Sequence, residues 1–199
     1  PAAHARLDYA RDRDQLLALV RLHQTDRLDT WPLVLVRHAH ALARGEWSGK
    51  DPLRPLSPEG RQRSAALSPV LTAYGVTRVL TSPSERCLRT VEPFAVSAGV
   101  RLRTRSGLSE EGYDADPRTA PAHLGRLLER GEPAVLCTHG PVLPRLLDDL
   151  AERLDLDKPA SVEVVEEFAE ARDERLAKGE ALVCHVVGVG DGARVVAVE

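Results

Sequence analysis

The run Leu33-Val34-Leu35-Val36, followed at once by Arg37-His38-Ala39-His40, constrains this chain more than any other stretch. Four apolar residues in succession describe a short strand buried on both faces, since a half-exposed strand would alternate. Strands of that kind belong to parallel sheets covered by helices. Arg37 and His38 then fall where the strand leaves the sheet, and open α/β sheets bind ligands at the carboxyl ends of their strands. An imidazole there, beside a fixed positive charge, is placed to attack a phosphoryl group.

The rest of the chain supplies strands and helices in alternation. Arg78-Val-Leu-Thr81, Val100–Thr104 and Pro133–Thr138 read as further strands, the second of them edge-like. Ser57-Pro58-Glu59 is a helix start with a cap, a first-turn proline and an acid near the positive dipole end. That helix is expected to run to Tyr74 and stop at Gly75, with a kink or break at Pro69. Ser82-Pro83-Ser84-Glu85 opens a second helix that ends near Gly99, and helices are also expected over 121–130 and 142–154. Residues 39–56 and 105–118 read as loops, and the charged stretch 161–178 as a surface helix. Ala181–Val187 and Ala193–Val198 flank a Gly-rich turn and form a hairpin. The expected fold is a three-layer α/β/α sandwich with a mostly parallel central sheet and an edge hairpin. Residues 1–30 look like an appendage, a helix over about 12–22 and a polar linker.

Composition excludes several classes of function. With 199 residues there is room for one α/β domain and that appendage, and a formal net charge of −3 gives no footing for non-specific nucleic-acid binding. No apolar run approaches the roughly 18–20 residues that span a membrane, and no signal peptide opens the sequence. Cys87, Cys137 and Cys184 are far apart with no C-x-x-C spacing, which disfavours a disulfide framework and fits a reducing cytoplasm. The sequence contains no methionine and starts at Pro1, so it is expected to be processed or to be a piece of a longer chain.

Several polar residues fall just after the expected strands: Arg37 and His38 after the first, Arg86 after the second, Glu110 and Glu111 after the third, and His139 after the fourth. If those strands are parallel, residues far apart in sequence converge on one sheet edge. The residue types suit phosphoryl transfer. Two guanidiniums hold the three non-bridging oxygens and never lose their charge. A protonated second histidine adds a donor, while the attacking imidazole must be neutral, a form that nearby arginines favour. Its other nitrogen needs a partner, expected to be a backbone carbonyl. A carboxylic acid can protonate the leaving oxygen. Such a scheme needs no metal and no cofactor.

The motifs resemble those of the histidine phosphatase superfamily, the branch with phosphoglycerate mutases and SixA-like phosphohistidine phosphatases. Leu-Val-Arg37-His38-Ala resembles its RHG signature, Thr81-Ser-Pro-Ser-Glu-Arg86-Cys-Leu-Arg-Thr90 its SSPxxRAxQT segment, and Thr138-His139-Gly-Pro-Val-Leu143 its SHGGVI segment. Arg54-Pro-Leu-Ser-Pro-Glu-Gly60 is similar to the RPLTxxG stretch of short members. The resemblance makes 31–199 a histidine phosphatase domain with a phosphoglycerate mutase-like fold. It implies that His38 is the nucleophile, that Arg37, Arg86 and His139 bind phosphate with His139 in the catalytic set, and that Glu110 in Leu108-Ser-Glu is the proton donor. Ala39 replaces the usual glycine, and Glu111 competes with Glu110. The segment from Leu7 to Arg13, the linker and the phosphatase strand resemble the junction in actinobacterial MutT-type Nudix proteins that carry a C-terminal phosphatase domain, although the Nudix box itself is missing.

The resulting expectation is a phosphohydrolase acting through phosphohistidine on a phosphorylated small molecule, first of all a nucleoside di- or polyphosphate, alongside a Nudix domain as partner in nucleotide-pool sanitation. The rivals are a non-catalytic phosphate-binding domain that docks a Nudix partner, and a SixA-like protein phosphohistidine phosphatase. Arg44, Lys50 and Arg54 in the loop after the nucleophile are candidate substrate contacts, and Trp47 reads as packing or as a stacking platform. Arg89 reads as solvated. His38-x-His40 has metal-ligand spacing, but no acidic or cysteine partner follows at useful spacing, so a metal is not expected.

Overall fold

The computed structural model describes residues 17, 20, 29–154, 161–171 and 176–199. Apart from residues 17 and 20, the helix expected over 12–22 lies outside these residues, as does most of the linker after it. Trp31–Glu199 form one compact unit. Its six strands are β1 (Trp31–Arg37), β2 (Arg78–Thr81), β3 (Leu102–Thr104), β4 (Ala134–Thr138), β5 (Ala181–Val187) and β6 (Arg194–Val198). They form one sheet in the order β3-β2-β4-β1-β5-β6. β1, β2, β3 and β4 run parallel, and β5 and β6 form the antiparallel hairpin at one edge.

The unbroken apolar run at the start has its explanation in this order. β1 is flanked by β4 and β5, and Leu33, Val34, Leu35 and Val36 are all fully buried. Leu33 and Leu35 join one core with Leu124, Leu128, Leu146, Leu147 and Phe168. Val34 and Val36 join the other with Leu67, Leu71, Val91 and Phe94. The second core therefore sits under α1 (Pro58–Ala73) and α2 (Glu85–Ser97). The first sits under α4 (Thr119–Arg130), α5 (Leu143–Ala151) and α6 (Ser161–Glu170). Each fully buried Leu or Val is worth roughly 1.5–3 kcal/mol relative to exposure, and β1 supplies four, two to each face.

Four expectations are corrected. Residues 105–118 are not a loop: a 3-10 turn, Ser106–Leu108, is followed by the short helix α3 (Glu110–Ala115). Ser109 caps it, accepting the Gly112 N–H, and Glu110 and Glu111 fill its first turn. Pro69 does not break α1, which runs from Pro58 to Ala73. Proline deletes one hydrogen bond there, while the buried Leu67 and Leu71 on either side hold the turn against the sheet. The helix expected over 142–154 is shorter, Leu143–Ala151. Of the surface helix expected over 161–178, Ser161–Glu170 is helical and Phe168 is buried in the core, while 172–175 lie outside the described residues.

The entry to α1 is built on close contact. The His40 carbonyl accepts from Ser57 N and Ser57 Oγ at 2.9 and 3.2 Å, and Ser57 Oγ accepts from Gly60 N at 3.1 Å. A Cβ on Gly60 would lie 1.9 Å from that same carbonyl oxygen. The obstacle is backbone, so relief requires the helix to move. Gly60→Ala is expected to destabilise the fold by about 3 kcal/mol. Thermal unfolding checks this: a midpoint lowered by about 10 °C is expected, and one within about 1 °C of the parent would contradict it.

Candidate active site

The strand register decides which side chains meet. Arg37 pairs with Thr138 across β1 and β4, and Thr81 with Cys137 across β2 and β4. The parallel ladder continues one step past each strand, through His38 N–H to Thr138 O at 3.0 Å and Ser82 N–H to Cys137 O at 3.1 Å. Three chain segments therefore leave the sheet at one level. His38, His139 and Ser82 are delivered together, and the imidazoles of His38 and His139 stand edge to face with ring centres 5.1 Å apart.

His38 is 7% exposed. Its Nδ1–H donates to the carbonyl of Ala39 at 2.8 Å, which leaves the Nε2 lone pair for attack. Burial pushes its pKa down to about 3, opposed by the Ala39 bond and reinforced by His139, Arg86 and Arg37. The imidazole is thus neutral at any ordinary pH. The Ala39 peptide is itself held, its N–H donating to Thr90 Oγ1 at 2.9 Å, whose hydroxyl donates to Arg86 O at 2.7 Å. This staples the His38 loop to the first turns of α2, where Arg86 sits.

Arg86 is 1% exposed. Its Nη1 donates to the Asp51 carbonyl and lies 3.0 Å from Asp51 Oδ2, and its Nη2 donates to Glu110 Oε1 at 3.1 Å. Arg37 Nη1 donates to Leu176 O at 2.9 Å. Gly140 gives the Arg37 guanidinium room, because a Cβ there would approach its Nη2 to 3.0 Å. His139 is fully buried, with Nε2 2.9 Å from Ser82 Oγ and 3.3 Å from Cys87 Sγ, and Nδ1 3.1 Å from Glu110 Oε1. Burial alone would lower its pKa, but the Cys87 and Glu110 contacts outweigh that and lift it to about 9. Burial keeps the Cys87 thiol protonated, so Glu110 is the anionic partner of that cation. The Glu110 carboxyl is correspondingly held down to about 2, by His139 first and then by Arg86 against the opposing effect of burial.

Two buried donors of this cluster, Arg37 Nε and Arg86 Nε, make no hydrogen bond among the described residues, and His139 Nδ1 has only its ionic contact with Glu110. An unpaired buried donor costs roughly 1–3 kcal/mol. Buried cationic donors of this kind suit an anionic partner. Arg37 and Arg86 line a cavity of about 340 Å³ together with His38, Glu110 and Gly140, and Arg44, Arg54 and Lys178 also line it.

The other candidate residues fall into place around it. Glu110 lines this cavity and also an adjoining one of about 450 Å³, whereas Glu111 lines only the second, with Trp47, Asp51 and Asp114. Arg44 and Arg54 line both. Arg54 is partly spent on the loop, donating to Leu42 O and to Asp51 Oδ1. Lys50 lines neither cavity, and its carbonyl accepts from Trp47 Nε1 and Leu53 N. Arg89 is ion-paired on the surface with Glu85 and Glu92. His40 lies 3.7 Å from Glu59, and the described residues contain no cluster of three or more ligands arranged for a metal.

Asp51, Thr90, Cys87, Ser82 and Lys178 escape a reading of the sequence. Asp51 had a faint signal in its i, i+3 spacing to Arg54. Lys178 had none: it reaches the cavity because Gly179 N–H donates to the Arg37 and His38 carbonyls at 3.0 and 3.2 Å.

Comparison with known proteins agrees with this geometry. Residues 33–119 match the histidine phosphatase superfamily (branch 1). An 8-oxo-(d)GTP phosphatase of Mycolicibacterium smegmatis is 34% identical over 152 residues, 76% of this chain and 46% of that protein. The chain thus spans under half the length of this relative. Among solved structures, a candidate phosphohistidine phosphatase SixA from Nakamurella multipartitia is 22% identical with a TM-score of 0.62, covering 85% of this chain and 95% of its own. A mycobacterial glucosyl-3-phosphoglycerate phosphatase complexed with VO3 is 15% identical with a TM-score of 0.58, covering 82% and 95%. These two structures establish a shared fold.

Proposed function

Because the chain belongs to the histidine phosphatase superfamily, we propose that His38 takes a phosphoryl group from substrate and passes it to water. The observation that carries this reading is the neutral His38 set in one cavity with Arg37 and Arg86, each with a buried, unpaired Nε. Arg37, Arg86 and His139 would hold the non-bridging oxygens. Nε2 forms the N–P bond as the P–O bond to the leaving group breaks, and the leaving oxygen takes a proton from Glu110. An arriving phosphoryl group competes for Arg86 and His139, the two partners that hold Glu110 ionised, so its carboxyl can carry that proton in the complex. Water then attacks phosphorus, gives its proton to Glu110 and frees phosphate.

The substrate class we infer is a nucleoside di- or polyphosphate. Its support is the 8-oxo-(d)GTP phosphatase relative and the cationic residues Arg44, Arg54 and Lys178 in the cavity lining, which suit a second phosphate. Action beside a Nudix domain fits the greater length of that relative. The three cysteines are free and buried, which suits a reducing cytoplasm, and no described helix is long and apolar enough to cross a membrane. A phosphate-release panel of nucleotides, phosphorylated metabolites and a phosphohistidine protein tests the class. Nucleotides should be cleaved best. Preference for the phosphoprotein would move the reading to the SixA-like alternative, and no release from any compound would leave a phosphate-binding domain.

The pH profile has a definite sign. His139 must be cationic to hold phosphate, and its proton is lost as pH rises through about 9. His38 must be neutral, and it stays so down to about 3. After allowance for the substrate's own ionisation, kcat/KM should be flat across the neutral range and fall tenfold per unit above about pH 9. A descending limb near 6.5, the ordinary histidine value, would contradict the His139–Glu110 pairing.

A further inference from the structure

We propose that Asp51 is a positioning residue that sets Arg86 for oxyanion binding, an assignment that rests on the phosphate-site reading above. Asp51 opens a 3-10 turn, Asp51–Leu53, in the loop after the nucleophile. It meets three arginines. Its carbonyl and Oδ2 each lie 3.0 Å from Arg86 Nη1, its Oδ1 accepts from Arg54 Nε at 3.0 Å, and the same oxygen lies 3.5 Å from Arg44 Nε. The Arg86 guanidinium holds the Asp51 carboxyl below the usual carboxylate range, against the effect of burial, with Arg54 and Arg44 adding to it.

The consequence lies in what Arg86 has left to give. A guanidinium has five N–H donors in one plane. Asp51 occupies Nη1 from two sides, through backbone and side chain, so the plane cannot rotate about the side-chain axis. That leaves Nε, unpaired and buried, and Nη2, which reaches Glu110, directed to the cavity beside His38. A flexible arginine would lose orientational entropy on each binding event, and Asp51 removes that cost in advance. Asp51 itself lines the adjoining cavity with Arg44, Trp47 and Arg54 and is not among the residues lining the His38 cavity. It is therefore assigned to act through Arg86 and not on the reacting atoms.

The test is a double-mutant cycle on the full chain, with two readouts. Asp51→Asn keeps the size and the backbone carbonyl but loses the charge. In the parent, it should lower kcat/KM about 10–100-fold and weaken inorganic phosphate binding, measured by calorimetry, about tenfold. With Arg86→Lys already in place, whose ammonium has no plane to orient, the same change should cost less than about threefold in both readouts. Asp51→Glu should recover part of the loss. Equal losses in the two backgrounds would overturn the assignment and make Asp51 a loop staple. So would no loss in the parent, or a parent that binds no phosphate. The phosphate-binding readout does not depend on turnover. A chain that cleaves no substrate, but whose phosphate affinity follows this pattern, would refute the phosphatase reading and leave Asp51 in its role.

Discussion

His38→Ala should lower kcat/KM by at least about 10⁴-fold while leaving inorganic phosphate binding within a few-fold of the parent. The size follows from removing the nucleophile itself, since covalent catalysis has no partial substitute in this cavity, and a factor of 10⁴ corresponds to about 5.4 kcal/mol of transition-state stabilisation. The separation from binding follows from the geometry. Arg37 and Arg86 are held by Leu176, Asp51 and Glu110, and none of those bonds passes through His38. The loop that carries position 38 is fixed by Thr90 and by the Thr138 carbonyl, both through backbone. Phosphate release by steady-state assay and phosphate affinity by calorimetry check the two halves. Residual turnover above a thousandth of the parent would remove His38 from the chemistry.

The second large effect concerns the proton. Glu110→Gln should lower kcat about 10²–10³-fold on an alkyl phosphate, whose leaving oxygen needs protonation, and less than about tenfold on an aryl phosphate such as p-nitrophenyl phosphate. The amide keeps the shape of the carboxyl that lies against Arg86 and His139 and discards only its charge and its proton. Removal of that negative charge should also tighten inorganic phosphate binding, because Glu110 competes with phosphate for Arg86. Glu111→Gln should change kcat less than about threefold, since Glu111 lines the adjoining cavity and not the one with His38. Equal losses on the alkyl and aryl esters would show that Glu110 orients Arg86 and His139 and donates no proton. A large loss at Glu111 on the alkyl ester would give it that role.

The contrast between these two carboxylates shows what a sequence conveys and where it stops. The positions of Arg37, His38 and His139 were legible because they come at the end of the apolar runs Leu33–Val36 and Ala134–Cys137, and β1 and β4 pair in register up to Arg37 and Thr138. The place of Arg86 was legible from the helix start Ser82-Pro-Ser-Glu85 after β2. Glu110 was singled out over Glu111 only by the resemblance of Leu108-Ser-Glu, because which side of a first helical turn faces the cavity cannot be read from the residues alone. The stretch 105–118, rich in Gly, Asp and Ser, also concealed α3, although Ser109 followed by two acids is a helix start in miniature. Pro69 misled in the opposite direction. Propensity counts one lost hydrogen bond there, while Leu67 and Leu71 are buried against the sheet on either side. Asp51 and Lys178 were beyond reach for a plainer reason. Their roles exist only after a loop and a strap fold back to the end of β1, and nothing local to Lys178 encodes the bonds of Gly179 to Arg37 and His38.

Covalent capture at the imidazole decides the central claim most directly. Rapid acid-free quenching of turnover with substrate labelled in the terminal phosphate, followed by peptide mapping, should place an acid-labile, alkali-stable phosphoryl group on His38. That label should appear before free phosphate and should be missing in His38→Ala. A label on another residue, or phosphate released at full rate with no protein-bound intermediate, would contradict it.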